Sequence, residues 1–433
     1  MASLPTAVAH ESLEERLVRL RRGLHRAPET GLNLPRTQRA VIDALAHLPL
    51  DITPSTGSSS LTAVLRGHRG PDAGSARGAV LLRADMDALP VHEQTGLSYA
   101  SRTQGVMHAC GHDLHTAMLV GAAEMLADDA ARLAGDVVFM FQAGEEGWEG
   151  AQRMLDDGVL DAAGMPVSAA FALHVFSNLP VGTVRTRPGT VMAASAELEV
   201  RFEGAGGHSA APHLAHDPVP ALAETILALQ RSAGRDLDPF EPVVLSIGVL
   251  EAGSRPNVIP RAARLVANIR TLSLETQTRT VALARRVIKG IAAAHGVRAR
   301  VDFRPLRPPL VNDPGMTDLA LATAREVLGA DRVSLSDRPE DGSEDFARVL
   351  GRVPGCFLSL GAGSPGAPYN HSPHAVFDDA VVVDGAALLA GLARTHLARG
   401  RNVGERDDHD SRPGPHGTIP DQDPGRRGGI QPR

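Results

Sequence analysis

The stretch GVMHACGHDLHTAM, residues 105–118, gathers His108, Cys110, His112, Asp113 and His115 within fourteen positions. A thiolate and imidazoles this close suit zinc and other borderline metals. The competing chemistry is a thiol nucleophile, with Cys110 attacking and His112 as its base. That reading also requires an orienting third group and donors for an oxyanion. Closeness in sequence supplies neither, whereas two residues apart can reach one metal. His108 and His115 stay open between supporting a ligand and ordinary polar roles. Asp113 is also suited to cap the helix whose pattern starts near Leu114.

Further candidates stand where apolar runs stop. Glu145 and Glu146 follow VVFMF in GDVVFMFQAGEEGWEG. One carboxylate of such a pair can ligate metal while its neighbour works as base on metal-activated water; the alternative is a solvated acidic turn. Asp85 and Asp87 in RADMDALP can orient a histidine ligand or cap the turn before Pro90. His174 ends the apolar FALHVF, where an unpaired imidazole is costly. His371 and His374 compete for one role in SPGAPYNHSPHAVFDD, and His208 follows the glycines of EGAGGHSAAPH. Asn257 lies in GSRPNVIP, with Asn268 and Arg270 in VANIRTLS. Arg270 is able to hold a carboxylate by two parallel hydrogen bonds, or to be a solvated strand residue. Cys356, in VPGCFLSLGAG, reads as a small buried hydrophobe.

The elements that must position these groups follow from periodicity. Helical spacing up to about Leu48 sets Leu13, Leu17 and Leu20 on one face, and Val41, Ile42 and Leu45 on another. GAVLLRADMDALP, GDVVFMFQAGEEG and VSAAFALHVFSN read as buried strands, with LHTAMLVGAAEMLADDA as a crossover helix between the first two. That order predicts an α/β unit around a mostly parallel sheet, with ligands gathering at the carboxyl ends of its strands. After about Arg187 alternating strands and two helices predict an inserted α+β sandwich, residues 188–304. The larger unit is then discontinuous, 1–187 and 305–398. Residues 399–433, rich in glycine and proline and poor in large apolar side chains, read as a disordered tail.

A formal net charge of −6 over 433 residues gives no electrostatic reason to expect nucleic acid or an anionic membrane as partner. No apolar run approaches the roughly 20 residues that span a bilayer. The start MASLPTAVAHESLEERLVRLRR lacks the order of a signal peptide, so a cytoplasmic location is the expectation. Two cysteines do not make a disulfide framework.

Taken in order, RADMDALP, GVMHACGHDLHTAM, FQAGEEGWEGA, ALHV, GAGGHSAAPH, NVIP, GSEDF and NHSPHAVFDDA resemble the successive motifs of the M20 metallopeptidase family, in its amidohydrolase branch. The resemblance implies a dinuclear-metal catalytic domain carrying an inserted ferredoxin-like lid and dimerisation domain. It implies two divalent ions per subunit (Zn, Mn, Co or Ni) on Cys110, His112, Glu146, His174 and His371, with Cys110 bridging. Glu145 falls on the general base and Asp87 on the aspartate supporting a ligand, while Asp85 occupies a position this branch leaves unused. His208 falls on an oxyanion-stabilising histidine that in many relatives reaches a partner subunit's site. Asn257 and Arg270 fall on substrate-carboxylate positions. The implied reaction is hydrolysis of N-acyl-L-amino acids, with a dipeptidase or aminopeptidase-like activity, or a non-catalytic binding role, as alternatives. The inserted domain's outer strand and His208 both call for a partner, so a homodimer is the expectation, with a monomer or a tetramer as alternatives. Two departures stand out: QAGEE where the branch reads QPAEE, which predicts a looser turn, and Asp341 before GSEDF in place of methionine.

Overall fold

The runs with no wetted face become the centre of an eight-stranded sheet. The computed structural model describes residues 11–68, 75–76, 78–340, 342–399 and 401–402. Asp341 and nearly all of the stretch read as a tail lie outside the described residues. In chain order the helices discussed below are α1 (Leu13–Arg26), α2 (Pro35–Leu45), α3 (His112–Ala127), α4 (Pro218–Ala233), α5 (Leu274–Ala294), α6 (Pro314–Leu328) and α7 (Val381–Ala398). The strands are β1 (Leu50–Pro54), β2 (Leu61–Leu65), β3 (Ala79–Asp85), β4 (Asp136–Gln142), β5 (Val167–Pro180), β6 (Val184–Thr186), β7 (Ala194–Glu203), β8 (Val243–Ala252), β9 (Ala262–Thr271), β10 (Arg298–Arg307), β11 (Val333–Leu335) and β12 (Gly355–Gly363).

The large sheet runs β1-β2-β4-β3-β5-β12-β6-β11. Its four central strands, β4-β3-β5-β12, are parallel, so their carboxyl ends open onto one edge. Every residue of β3 and β4 is buried, as expected where both faces are covered. On one face α1, α2, α3 and α7 share a core with Leu17, Val41, Leu45, Phe139 and Phe171. The helix α3 lies so close to its neighbours that a Cβ on Gly121 would stand 2.5 Å from Leu17 Cδ1 and 2.8 Å from Ala386 Cβ. By length and composition α7 is apolar enough to cross a membrane. Here it is a core helix, burying Ala386, Leu389, Leu392 and Ala393.

The inserted segment builds an antiparallel sheet ordered β8-β9-β7-β10. Its alternation separates two faces. Leu198, Val200 and Phe202 pack with Leu265, Ile269 and Ile288 beneath α4 and α5, while the opposite face mixes polar residues such as Glu199, Arg264 and Asn268 with Val244 and Val266. The last strand continues past residue 304 to Arg307. Where the chain enters and leaves this segment, Gly189–Met192 pairs with Leu310–Asn312, tying the two crossings together.

Candidate metal centre

Glu145 and Glu146 follow the end of β4, His174 lies within β5, and Cys110 and His112 stand at the start of α3. Gly111 is the N-cap of α3 at φ +83, a left-handed turn that glycine takes without penalty. That turn puts His112 at the first position of the helix, two residues earlier than the sequence pattern implied. Asp113 is not the cap: it is buried and paired with Arg21 at 2.9 Å and His25 at 2.8 Å.

Cys110, His112 and His174 present ligand atoms within 4.8 Å of one another, as do Cys110, Glu146 and His371. The two groups share Cys110. His174 Nε2 lies 3.4 Å from its sulfur and His371 Nε2 lies 3.2 Å away. His371 is also 3.2 Å from Glu146 Oε1. It holds a left-handed backbone at φ +72, uncommon for a residue with a Cβ, and its amide donates to the carbonyl of Ala109. His374, three residues on, instead bonds the Gln94 carbonyl at the surface.

The buried atoms left without hydrogen-bond partners include His112 Nε2. Such orphans are expensive unless something else satisfies them. His112 Nδ1 lies 2.7 Å from the Asp87 carbonyl, and His174 Nδ1 lies 2.8 Å from the Val175 carbonyl, leaving the Nε2 atoms to face the cluster. This is how a ligating imidazole is normally held. Burial pushes the Cys110 thiol up, yet the imidazoles of His174 and His112 outweigh it and hold it at about 5. The donors therefore fit a dinuclear divalent-metal site. His115 belongs to a different arrangement: its Nδ1 lies 2.6 Å from Asp85 Oδ1 and its Nε2 accepts from the Val175 amide. Asp85 is itself held by Arg83 at 2.8 Å. His108 is buried beside His25 with neither ring nitrogen bonded.

Asp87 supports the site through both oxygens, accepting from the amides of Glu145 and Glu146 at 3.0 Å each. Gly144 makes the preceding turn at φ +78, and a Cβ there would meet Leu32 at 2.6 Å. The QAGEE turn packs at Gly144 against Leu32 and Trp148. Burial and the neighbouring Glu344 charge hold the Glu145 carboxyl well above its ordinary value despite Arg307. Beneath it, fully buried Arg83 binds Glu344 at 2.8 Å and Asp345 at 3.2 Å.

These donors open into a cavity of about 350 Å³ that Arg270, Arg307, Ser343, Tyr369 and Asn370 also line. Arg270 is therefore in the pocket. Asn257 and His208 are both exposed and do not line it within one chain. The sequence reading missed Arg307 and Asn370. Asn370 donates to the Val175 carbonyl at 2.9 Å and stands next to His371. No local signal separates Arg307 from Arg298, Arg300 and Arg304 of the same strand.

The family model described as Peptidase family M20/M25/M40 matches residues 81–395. N-acetyl-L-cysteine deacetylase of Bacillus subtilis is 35% identical, over 89% of this chain and 89% of its own length. Thermostable carboxypeptidase 1 of Saccharolobus solfataricus is 34% identical, over 88% of this chain and 95% of its own. A dinuclear metal-binding peptidase of the M20 family from Bacillus subtilis superposes with a TM-score of 0.78 at 31% identity, over 89% of this chain and 98% of its own. Fold and donor set together define a metal-dependent hydrolase of amide or acyl bonds in small amino-acid-related substrates. The chain belongs to the M20 peptidase family.

Proposed function

We propose that this enzyme hydrolyses the amide bond of N-acyl-L-amino acids, releasing a carboxylic acid and a free amino acid, in the manner of the amidohydrolase branch that includes hippurate hydrolase and indoleacetyl-amino-acid hydrolases. The carrying observation is one cavity lined by metal donors, by Glu145 and by Arg270. Its lining carboxylates already have assigned places: Glu145 as the base, Glu146 beside His371 among the metal donors, and Glu344 against buried Arg83. None is left to receive the ammonium of a dipeptide, which favours acylated substrates.

Cys110, His112, Glu146, His174 and His371 would hold two divalent ions. Bound ions at such a site supply an acidified water and a polarised carbonyl. Glu145 takes the proton from the attacking water and returns it to the departing nitrogen, and its raised pKa suits a group that must carry the proton between steps. Asp87 fixes Glu145, Glu146 and His112 in register. Arg270 holds the free carboxylate and so selects a terminal amino acid, with Asn257, which does not line the cavity of its own chain, assisting from the partner subunit of a homodimer. His208 stabilises the oxyanion, contributed across a homodimer by residues 188–304. Residues 1–187 and 305–398 form the catalytic unit. We place the enzyme in the cytoplasm, with zinc or manganese as its metal and cobalt or nickel as substitutes.

The test is release of free amino acid from N-acetyl, N-benzoyl and indoleacetyl amino acids and from simple dipeptides, using protein reconstituted with each metal. Turnover of the acylated series that disappears in Glu145→Ala supports the reading. Turnover of dipeptides alone overturns it.

A further inference from the structure

Resting on that reading, we infer that Arg307 is a second anion-recognising residue, and that the preferred substrate carries a second carboxylate beyond the one assigned to Arg270. The argument begins with register. Arg270 on β9 and Arg307 on β10 both pair with the same residue, Ser195 on the intervening β7. Directly paired residues share a face, so one row across three strands reads Arg, Ser, Arg. The alternation of β9 fixes which face that is. Ala263, Leu265, Ala267 and Ile269 are buried in the core beneath the helices, so Arg270 points the other way, and it lines the metal cavity.

A continuous ladder would not put Arg307 on that face. Pro305 pairs with Ala196, and the next pairing is Arg307 with Ser195, leaving Leu306 as an extra residue. A bulge of this kind re-aims the side chain after it. Without it Leu306 would stand opposite Ser195, and Arg307 would turn toward the helices. The two guanidiniums thus enter one cavity from strands two spacings apart, about 10 Å.

Arg307 is largely enclosed, with a side chain 18% exposed. It lies 3.1 Å from Glu145 Oε1 and donates to the Glu145 carbonyl and to Ser343 Oγ. Glu344 and Asp345 below are held by Arg83, which they share with Asp85. One substrate carboxylate needs one guanidinium, and a cavity that holds two fixed cations together with the metal ions is matched to a dianion. The second carboxylate has two possible sources: the amino-acid side chain, as in an N-acylglutamate, or a dicarboxylic acyl group, as in an N-succinyl amino acid.

The experiment compares kcat/KM of the metal-loaded enzyme on N-acetyl-L-glutamate against N-acetyl-L-glutamine, and on N-succinyl-L-methionine against N-acetyl-L-methionine. Product inhibition by L-glutamate against L-glutamine, and by succinate against acetate, gives a binding readout independent of turnover. One dicarboxylate is expected to exceed its neutral partner by about 10- to 100-fold, mainly through KM, and the pair that shows it identifies the source. Arg307→Met should collapse that ratio and the matching inhibition ratio, and Arg307→Lys should restore part of both. Wild-type turnover with no dicarboxylate preference in either pair overturns the inference and leaves the proposed function standing. Equal losses on all substrates in Arg307→Met also overturn it, reducing Arg307 to a residue that positions Glu145. Failure to hydrolyse any N-acyl amino acid overturns both.

Discussion

The two cysteines are both buried and both lie near the large sheet, yet they sit in opposite surroundings. Cys356 is inside β12, facing Thr186 and Asn312, and burial pushes its thiol up to about 12. Cys110 is as deeply enclosed, but imidazoles stand against its sulfur and bring it to about 5. Burial alone therefore raises a thiol, and the sign reverses only where cationic or metal-ready partners converge. The strand interior makes a cysteine inert. The turn into α3, where His112, His174 and His371 converge, sets one up to ligate.

The sharpest way to break this contrast is Cys110→Ala beside Cys356→Ala. The first should lose bound metal, measured by elemental analysis, and roughly a thousandfold or more of activity. The second should keep both. Glu145→Ala should lower kcat by about 10²- to 10⁴-fold with metal content unchanged, separating base from ligands within the same pocket. A smaller effect is expected from His115→Asn, whose ring supports Asp85 and the Val175 amide; metal affinity should fall by about 10- to 100-fold. An equal loss in His112→Asn and His115→Asn would mean that both are ligands.

The pH dependence follows from the depressed thiol. Its anion persists above about pH 5 in the folded chain and is lost as pH falls through that value. In metal-stripped protein the alkylation rate of Cys110 should therefore be flat at neutral pH and about tenfold lower one pH unit below its pKa. Cys356, raised to about 12, should stay unmodified throughout. The smallest effect is on stability: Cys356→Ala should destabilise by about 1–2 kcal/mol through lost packing, read by denaturant titration.

Much of the site was legible because buried parallel strands announce themselves as apolar runs, and polar residues where those runs stop must lie at the sheet's edge. Glu145, Glu146 and His174 were found in this way, and Cys110 and His112 by residue type. The choice between equivalent residues was not legible. His112 and His115 share one helix turn, and only the placement of Asp85 and the Val175 amide occupies one and frees the other. His371 and His374 differ by a left-handed backbone that no neighbouring glycine signals.

Local chemistry in the sequence determined which residue types were available and that they stood at strand ends, since burial of both sheet faces leaves little freedom there. Which of them meet was decided only by tertiary structure. Cys110 joins a histidine 64 residues away and another 261 residues away, because strand order and the loop carrying His371 bring them to one sulfur. Arg307 shows the same limit most plainly: among the arginines of one strand, a single extra residue turns it to face the cavity.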